Sequence, residues 1–194
     1  LFEQAREKRQ LDRELRLAGR IQERLLPKEP PVIEGYDIAS YSRPCSEVGG
    51  DFFDFVTLKD GQTVFVIADV AGKGVPGALL MASARAALRA HLESTREPRQ
   101  LLRRLNLNLS HDTQPGQFVT LFCGVLDPKR RALLYTNAGH NPPLLVRKGQ
   151  LEPLEIGGLV LGADEQETYE QAEVLLRRGD LLFFYTDGIT EALN

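Results

Sequence analysis

The stretch at residues 64–80, VFVIADVAGKGVPGALL, constrains this fold more than any other part of the chain. Its first five residues form a continuous apolar run with β-branched and aromatic members, the pattern of a strand covered on both faces. The run ends on Asp69, where another hydrophobe or a turn residue is expected. Gly72, Gly74 and Gly77 follow around Lys73 and Pro76, and an Ala/Leu-rich helix begins near Val75. A carboxylate on the tip of a rigid strand, over a glycine turn, suits a hard metal ion, because the strand fixes the ligand and the glycines admit close approach. Asp69 reads equally well as a cap of the turn or of the helix after it.

Composition narrows the class. The chain has 194 residues, 42% of them hydrophobic and 26% charged, enough for one domain with an appendage and a sizeable core. A net charge of −3, with dispersed basic residues and aromatics confined to apolar runs, argues against a nucleic-acid partner. No apolar run approaches the roughly 20 residues of a membrane span, and no secretory signal opens the chain. Cys45 and Cys123 stand apart, so neither a disulfide framework nor a zinc site is implied, and a cytoplasmic location fits. The chain opens on Leu1 rather than Met, so a piece of a longer protein is expected.

Residues 1–26 read as one polar helix, ended by Pro27, Pro30 and Pro31. Leu11, Leu15, Ala18 and Leu25 mark a heptad-like seam that Lys8 and Gln22 interrupt. A weak parallel homodimer and a helix packed on its own domain both fit. The expected division is residues 1–30 as a linker, entering from an upstream sensory or receiver domain, and residues 31–194 as the domain proper.

Residues 36–41 predict a short strand. In the loop SRPCSEVGGDFFDF, extended chain would turn Asp51 and Phe53 one way and Phe52 and Asp54 the other. The run GGD plus Phe invites comparison with the GGDEF hairpin of diguanylate cyclases, but its second acid is missing and no nucleotide-binding context surrounds it. The helix after Gly77 is expected to bury Leu79, Leu80, Ala84, Ala87, Leu88 and His91 or Leu92. A second helix after Pro98 carries Leu101, Leu102, Leu105 and Leu109. The remainder reads as β: residues 118–126, 132–136, 144–147, 151–156, 170–176 and a buried run at 181–185. That last run leads to Asp187, a second acid at the tip of a core strand, again followed by glycine. Two such acids favour a hard-metal site.

PCSEVGGDFFDF, IADVAGKGVPGALLM, FVTLFCGVLD, NAGHNPPLL and GDLLFFYTDGITEA occur in the order and spacing of one family. The chain resembles the PPM-type (protein phosphatase 2C-like) metal-dependent serine/threonine phosphatases, in the bacterial branch of stage II sporulation protein E and the RsbU regulators. The resemblance implies an α+β fold, a two-sheet β-sandwich flanked by helices, with two Mn²⁺ or Mg²⁺ ions at one end. Asp69 would bridge both ions, the Val70 backbone carbonyl would join one, Asp187 the other, and Asp51 would contribute through water. A water activated there would attack phosphorus in line. The implied substrate is a phosphorylated STAS-type anti-sigma-factor antagonist. The alternative is a non-catalytic module that binds such a partner without turnover.

Two departures stand out. The run Asp69-Val70-Ala71 replaces the Asp-Gly-His of many eukaryotic members, which removes a candidate acid. The chain also ends at Asn194, before the Asp-Asp-Ile/Val-Thr motif that supplies the family's last metal ligand, so a C-terminally incomplete domain is expected. His140, in its Gly-His-Asn-Pro turn, reads as a loop-orienting residue rather than a ligand. Lys73 is either a phosphate contact or a solvated turn residue.

Overall fold

The computed structural model describes residues 2–44, 46–72, 74–114 and 116–190. Lys73 and Cys45 lie outside the described residues. In chain order the elements are α1 (Phe2–Leu25), β1 (Phe52–Thr57), β2 (Thr63–Val70), α2 (Val75–Leu92), α3 (Pro98–Asp112), β3 (Val119–Asp127) and β4 (Ala132–Ala138). They continue with β5 (Leu144–Arg147), β6 (Gln150–Pro153), β7 (Gly157–Gly158), β8 (Ala172–Leu175), β9 (Leu181–Phe183) and α4 (Asp187–Thr190). Six strands make one sheet in the order β1-β2-β3-β4-β7, with β8 also pairing β4. The second sheet has three, in the order β6-β5-β9.

This is the expected α+β sandwich, and strand periodicity explains its two cores. Along β2, Val64, Val66, Ala68 and Val70 turn to one side, with Leu80, Met81, Ala84 and Leu88 of α2 and Leu101, Leu102, Leu105 and Leu109 of α3 in the same core. Phe65 and Ile67 turn to the other, where Phe122, Tyr135 and Leu145 form the core between the sheets. Asp69 shares the parity of Phe65 and Ile67, so it emerges between the sheets at one end of the sandwich.

Some expectations shift. Residues 36–41 form no strand: they find no ladder partner, although Tyr36 packs on the inter-sheet core. Leu79 is 67% exposed, because the inward face of α2 runs through Gly77, Leu80, Met81, Ala84, Leu88 and Leu92. The run at 181–185 is only half covered, with Leu181 58% and Phe183 43% exposed on the outer face of β9. That face of the three-stranded sheet carries no helix among the described residues. The Gly157–Gly158 strand has no sequence signal, since Gly disfavours strands; here a Cβ on Gly157 would collide with the Asn137 carbonyl.

The N-terminal helix leans on its own domain. Leu15, Ala18, Gln22 and Leu25 are half-buried, whereas Leu11 is exposed. A Cβ on Gly19 would sit 2.1 Å from the Glu47 carbonyl, so glycine is what lets the helix approach that loop. The Gln22 side chain then brackets Gly49, its Nε2 donating to the Gly49 carbonyl at 2.6 Å and its Oε1 accepting from the Gly49 N–H at 2.9 Å.

Candidate metal centre

Three chain segments bring their acids to the same end of the sandwich. Asp69 ends β2, Asp51 precedes β1, and Asp187 follows the β9 segment. The antiparallel pairing of β1 with β2 sets Phe52 opposite Ala68, which places Asp51 next to Asp69. Asp187 is aimed by Phe184, whose ring packs 5.5 Å from Phe122 and 6.4 Å from Phe65 between the sheets. Thr186 Oγ1 donates to Asp51 Oδ2 at 2.7 Å and links the two outer segments.

The acids feel one another. Burial, a shared hydrogen bond with Asp51 and the charges of Asp51 and Asp187 push the Asp69 carboxyl up to about 7. Clustered carboxylates of this kind are what a cation relieves. The Val70 carbonyl is a further hard oxygen, and a Cβ on Gly50 would lie 2.8 Å from it. Glycine at position 50 keeps that oxygen accessible. No three His, Cys, Asp or Glu side chains among the described residues are grouped tightly enough to enclose an ion by themselves. Carboxylate and carbonyl oxygens suit a hard divalent ion, which would have to take the rest of its shell from backbone and water.

The other acid of the loop has a different destination. Asp54 is fully buried on the helix side of β1, where Arg89 donates twice to it at 2.7 Å and Arg85 Nε lies 3.1 Å away. The alternation separated Asp51 from Asp54 but did not say which partner either would meet. Arginines at 85 and 89, four apart on one face of α2, are the sole trace of the Asp54 pairing in the sequence and do not say which acid they meet. The roles of Thr120, Thr186, Gly50 and Gln22 also escaped the sequence reading, since each acts through a partner distant in the chain. His140 is buried, with its Nδ1 2.9 Å from Thr120 Oγ1.

The acid cluster predicts a pH response of the metal-free protein. Asp69 titrates at about 7 in the native state against an ordinary 3.8. Between those values the native chain holds a proton that the unfolded chain releases, so stability falls as pH rises through the window. Thermal melts in chelator should show a Tm declining from pH 4 to pH 7 more steeply in the wild type than in Asp69→Asn. Parallel curves for the two proteins would mean that neither burial nor the neighbouring acids raise the Asp69 pKa.

Fold and site together define a β-sandwich domain with an acidic, oxygen-rich centre at the strand ends. The sequence profile described as Stage II sporulation protein E (SpoIIE) matches residues 59–194, and the chain belongs to that family. It is 32% identical over 180 residues to phosphoserine phosphatase RsbU of Bacillus subtilis, covering 92% of this chain and 53% of that protein. Phosphoserine phosphatase RsbP of the same organism is 27% identical, with 92% of this chain and 45% of RsbP covered. The chain thus spans about half the length of these curated relatives. Among solved structures, the SiaA-PP2C domain of Pseudomonas aeruginosa superposes with a TM-score of 0.78 at 23% identity, over 94% of this chain and 74% of that one. That similarity establishes the fold as PP2C-like.

Proposed function

We propose that the chain is the catalytic domain of a metal-dependent protein serine/threonine phosphatase, acting in the cytoplasm on a phosphorylated STAS-type anti-sigma-factor antagonist. The observation that carries this reading is the convergence of Asp69, Asp51 and Asp187, with Asp69 pushed up to about 7 by burial and, after it, by its neighbours. Relatives named phosphoserine phosphatases support the same reaction class.

Two Mn²⁺ or Mg²⁺ ions would be held by Asp69, the Val70 carbonyl and Asp187, with Asp51 at one remove. Such ions supply charge neutralisation at the phosphoryl oxygens and a water activated near neutral pH. The protein's own part is positional. Rigid β2 fixes Asp69, Phe184 anchors the segment bearing Asp187, and Thr186 holds Asp51 in place. Gln22, by gripping Gly49 two residues before Asp51, gives the N-terminal helix a lever on the site. On this reading residues 1–30 are the linker and residues 31–194 the phosphatase domain. The exposed first half of α1 around Leu11 is the part available for a homodimer, and an upstream sensory or receiver domain would act through it. Lys73 would contact the phosphate.

The test uses a serine-phosphorylated STAS-domain protein with this chain. Phosphate release is expected with Mn²⁺ or Mg²⁺, falling to background on chelation and returning on re-addition of metal. Release that persists in chelator would refute the metal mechanism. Binding of the phosphoprotein without release under any metal would support a non-catalytic module instead.

A further inference from the structure

Gly49, Gly50 and Asp51 lie just before β1, which begins at Phe52, so no sheet ladder holds them. Their backbone groups must find partners elsewhere. Among the described residues, Gly49 finds both of its partners in one side chain. Gln22 Nε2 donates to the Gly49 carbonyl at 2.6 Å, and Gln22 Oε1 accepts from the Gly49 N–H at 2.9 Å.

A primary amide presents a donor and an acceptor side by side, which is what one residue's backbone needs. A carboxylate at position 22 would offer two acceptors and an ammonium only donors. The helix comes close enough because Gly19, one turn before Gln22 on the same face, has no Cβ to meet the Glu47 carbonyl. Arg16 Nε lies 3.4 Å from Glu47 Oε1 on the same side, but both side chains are exposed and that pair adds little.

The segment held in this way leads straight to an acid. Gly50 packs on Val70, where an added Cβ would lie 2.8 Å from the carbonyl oxygen and 3.2 Å from the Val70 Cβ. Its Cα would also stand 3.9 Å from a Cβ on Gly77, at the start of α2. A segment packed that closely cannot shift without disturbing the Val70 backbone. Asp51 follows directly, and its Oδ2 accepts from Thr186 at 2.7 Å. Two side chains thus fix Asp51, Thr186 at its carboxylate and Gln22 at its backbone approach.

We infer that Gln22 is a positioning residue for Asp51. Through the backbone of Gly49 it sets how residues 49–51 lie against Val70, and so where the Asp51 carboxylate stands relative to Asp69. The inference rests on the proposed metal-dependent reading of those acids. In that role Gln22 touches neither ion nor substrate, and the second half of α1 completes the acid end of the sandwich.

Gln22→Met in the full chain tests it, because methionine keeps the length and helix propensity of glutamine but makes neither hydrogen bond. The first measurement needs no metal. In ¹H–¹⁵N spectra of Gln22→Met the Gly49 amide should exchange about tenfold faster, the weight of one lost hydrogen bond, and the Asp51 amide signal should move. Wild-type exchange at Gly49, or an unmoved Asp51 signal, would overturn the inference. The second measurement is calorimetric titration with Mn²⁺ alone. Gln22→Met, with a wild-type circular dichroism spectrum, should bind Mn²⁺ about tenfold more weakly, as loss of a ligand-orienting residue does. Asp51→Asn should lose at least as much, and the double variant should lose little more than Asp51→Asn. Losses that simply add would mean that Gln22 acts other than through Asp51, and wild-type affinity in Gln22→Met would mean that it positions nothing. Either result refutes the positioning role. Absence of Mn²⁺ binding by the wild type would instead refute the metal reading, while the Gly49 and Asp51 amide signals still decide the positioning.

Discussion

Asp69→Asn is expected to lower Mn²⁺-dependent phosphate release by about a thousandfold, equivalent to about 4 kcal/mol of lost transition-state stabilisation. The same substitution should raise the Tm of the metal-free protein near pH 7. Burial and the adjacent Asp51 and Asp187 make an ionised Asp69 unfavourable without a cation, and asparagine removes that charge. Opposite signs for activity and stability separate a ligand from an ordinary core residue, whose loss would lower both. Asp51→Asn should have a smaller effect on rate, since Asp51 is exposed and contributes at one remove. Phosphate release and thermal melts in chelator check both halves. Unchanged turnover in Asp69→Asn would refute the site assignment.

Asp54→Ala should destabilise the domain by about 3 kcal/mol, a Tm decrease of roughly 6–12 °C for a chain of this size. The fully buried carboxylate is the counterion of Arg85, whose side chain is only 13% exposed, and of the more accessible Arg89. Removing it leaves a largely buried guanidinium without a partner and opens a small cavity under α2. Asp54→Asn keeps the shape and some hydrogen bonding and should lose less. Thermal and urea unfolding would show the ranking wild type, Asn, Ala. If Asp54→Ala melts with the wild type, α2 is held by its apolar face alone and the ion pair is incidental.

Much of the fold was legible in the sequence because its signals are local. Residues 64–68 are apolar throughout since β2 has α2 and α3 on one face and the second sheet on the other. The leucines at 101, 102, 105 and 109 follow the helical repeat, and all four are buried. Acids at 69 and 187 break apolar runs at their ends, a departure readable without knowing what surrounds them. Alternation alone put Asp51 and Asp54 on opposite sides of β1.

Tertiary structure decided the rest, because those facts depend on residues distant in the chain. Nothing near Asp54 announces Arg85 and Arg89, and only the packing of α2 on the sheet creates the buried ion pair. Leu79 and Leu80 are both good core residues, and the docking angle of the helix chose Leu80. Residues 181–185 read as buried because periodicity measures hydrophobicity, not cover, and the outer face of β9 has no covering element among the described residues. His140 reads in sequence as a turn residue, and only the fold sets its Nδ1 2.9 Å from Thr120 Oγ1. Its proximity to Thr120 exists only after β3 and β4 have paired, since long-range strand pairing sets which side chains share the end of a sandwich.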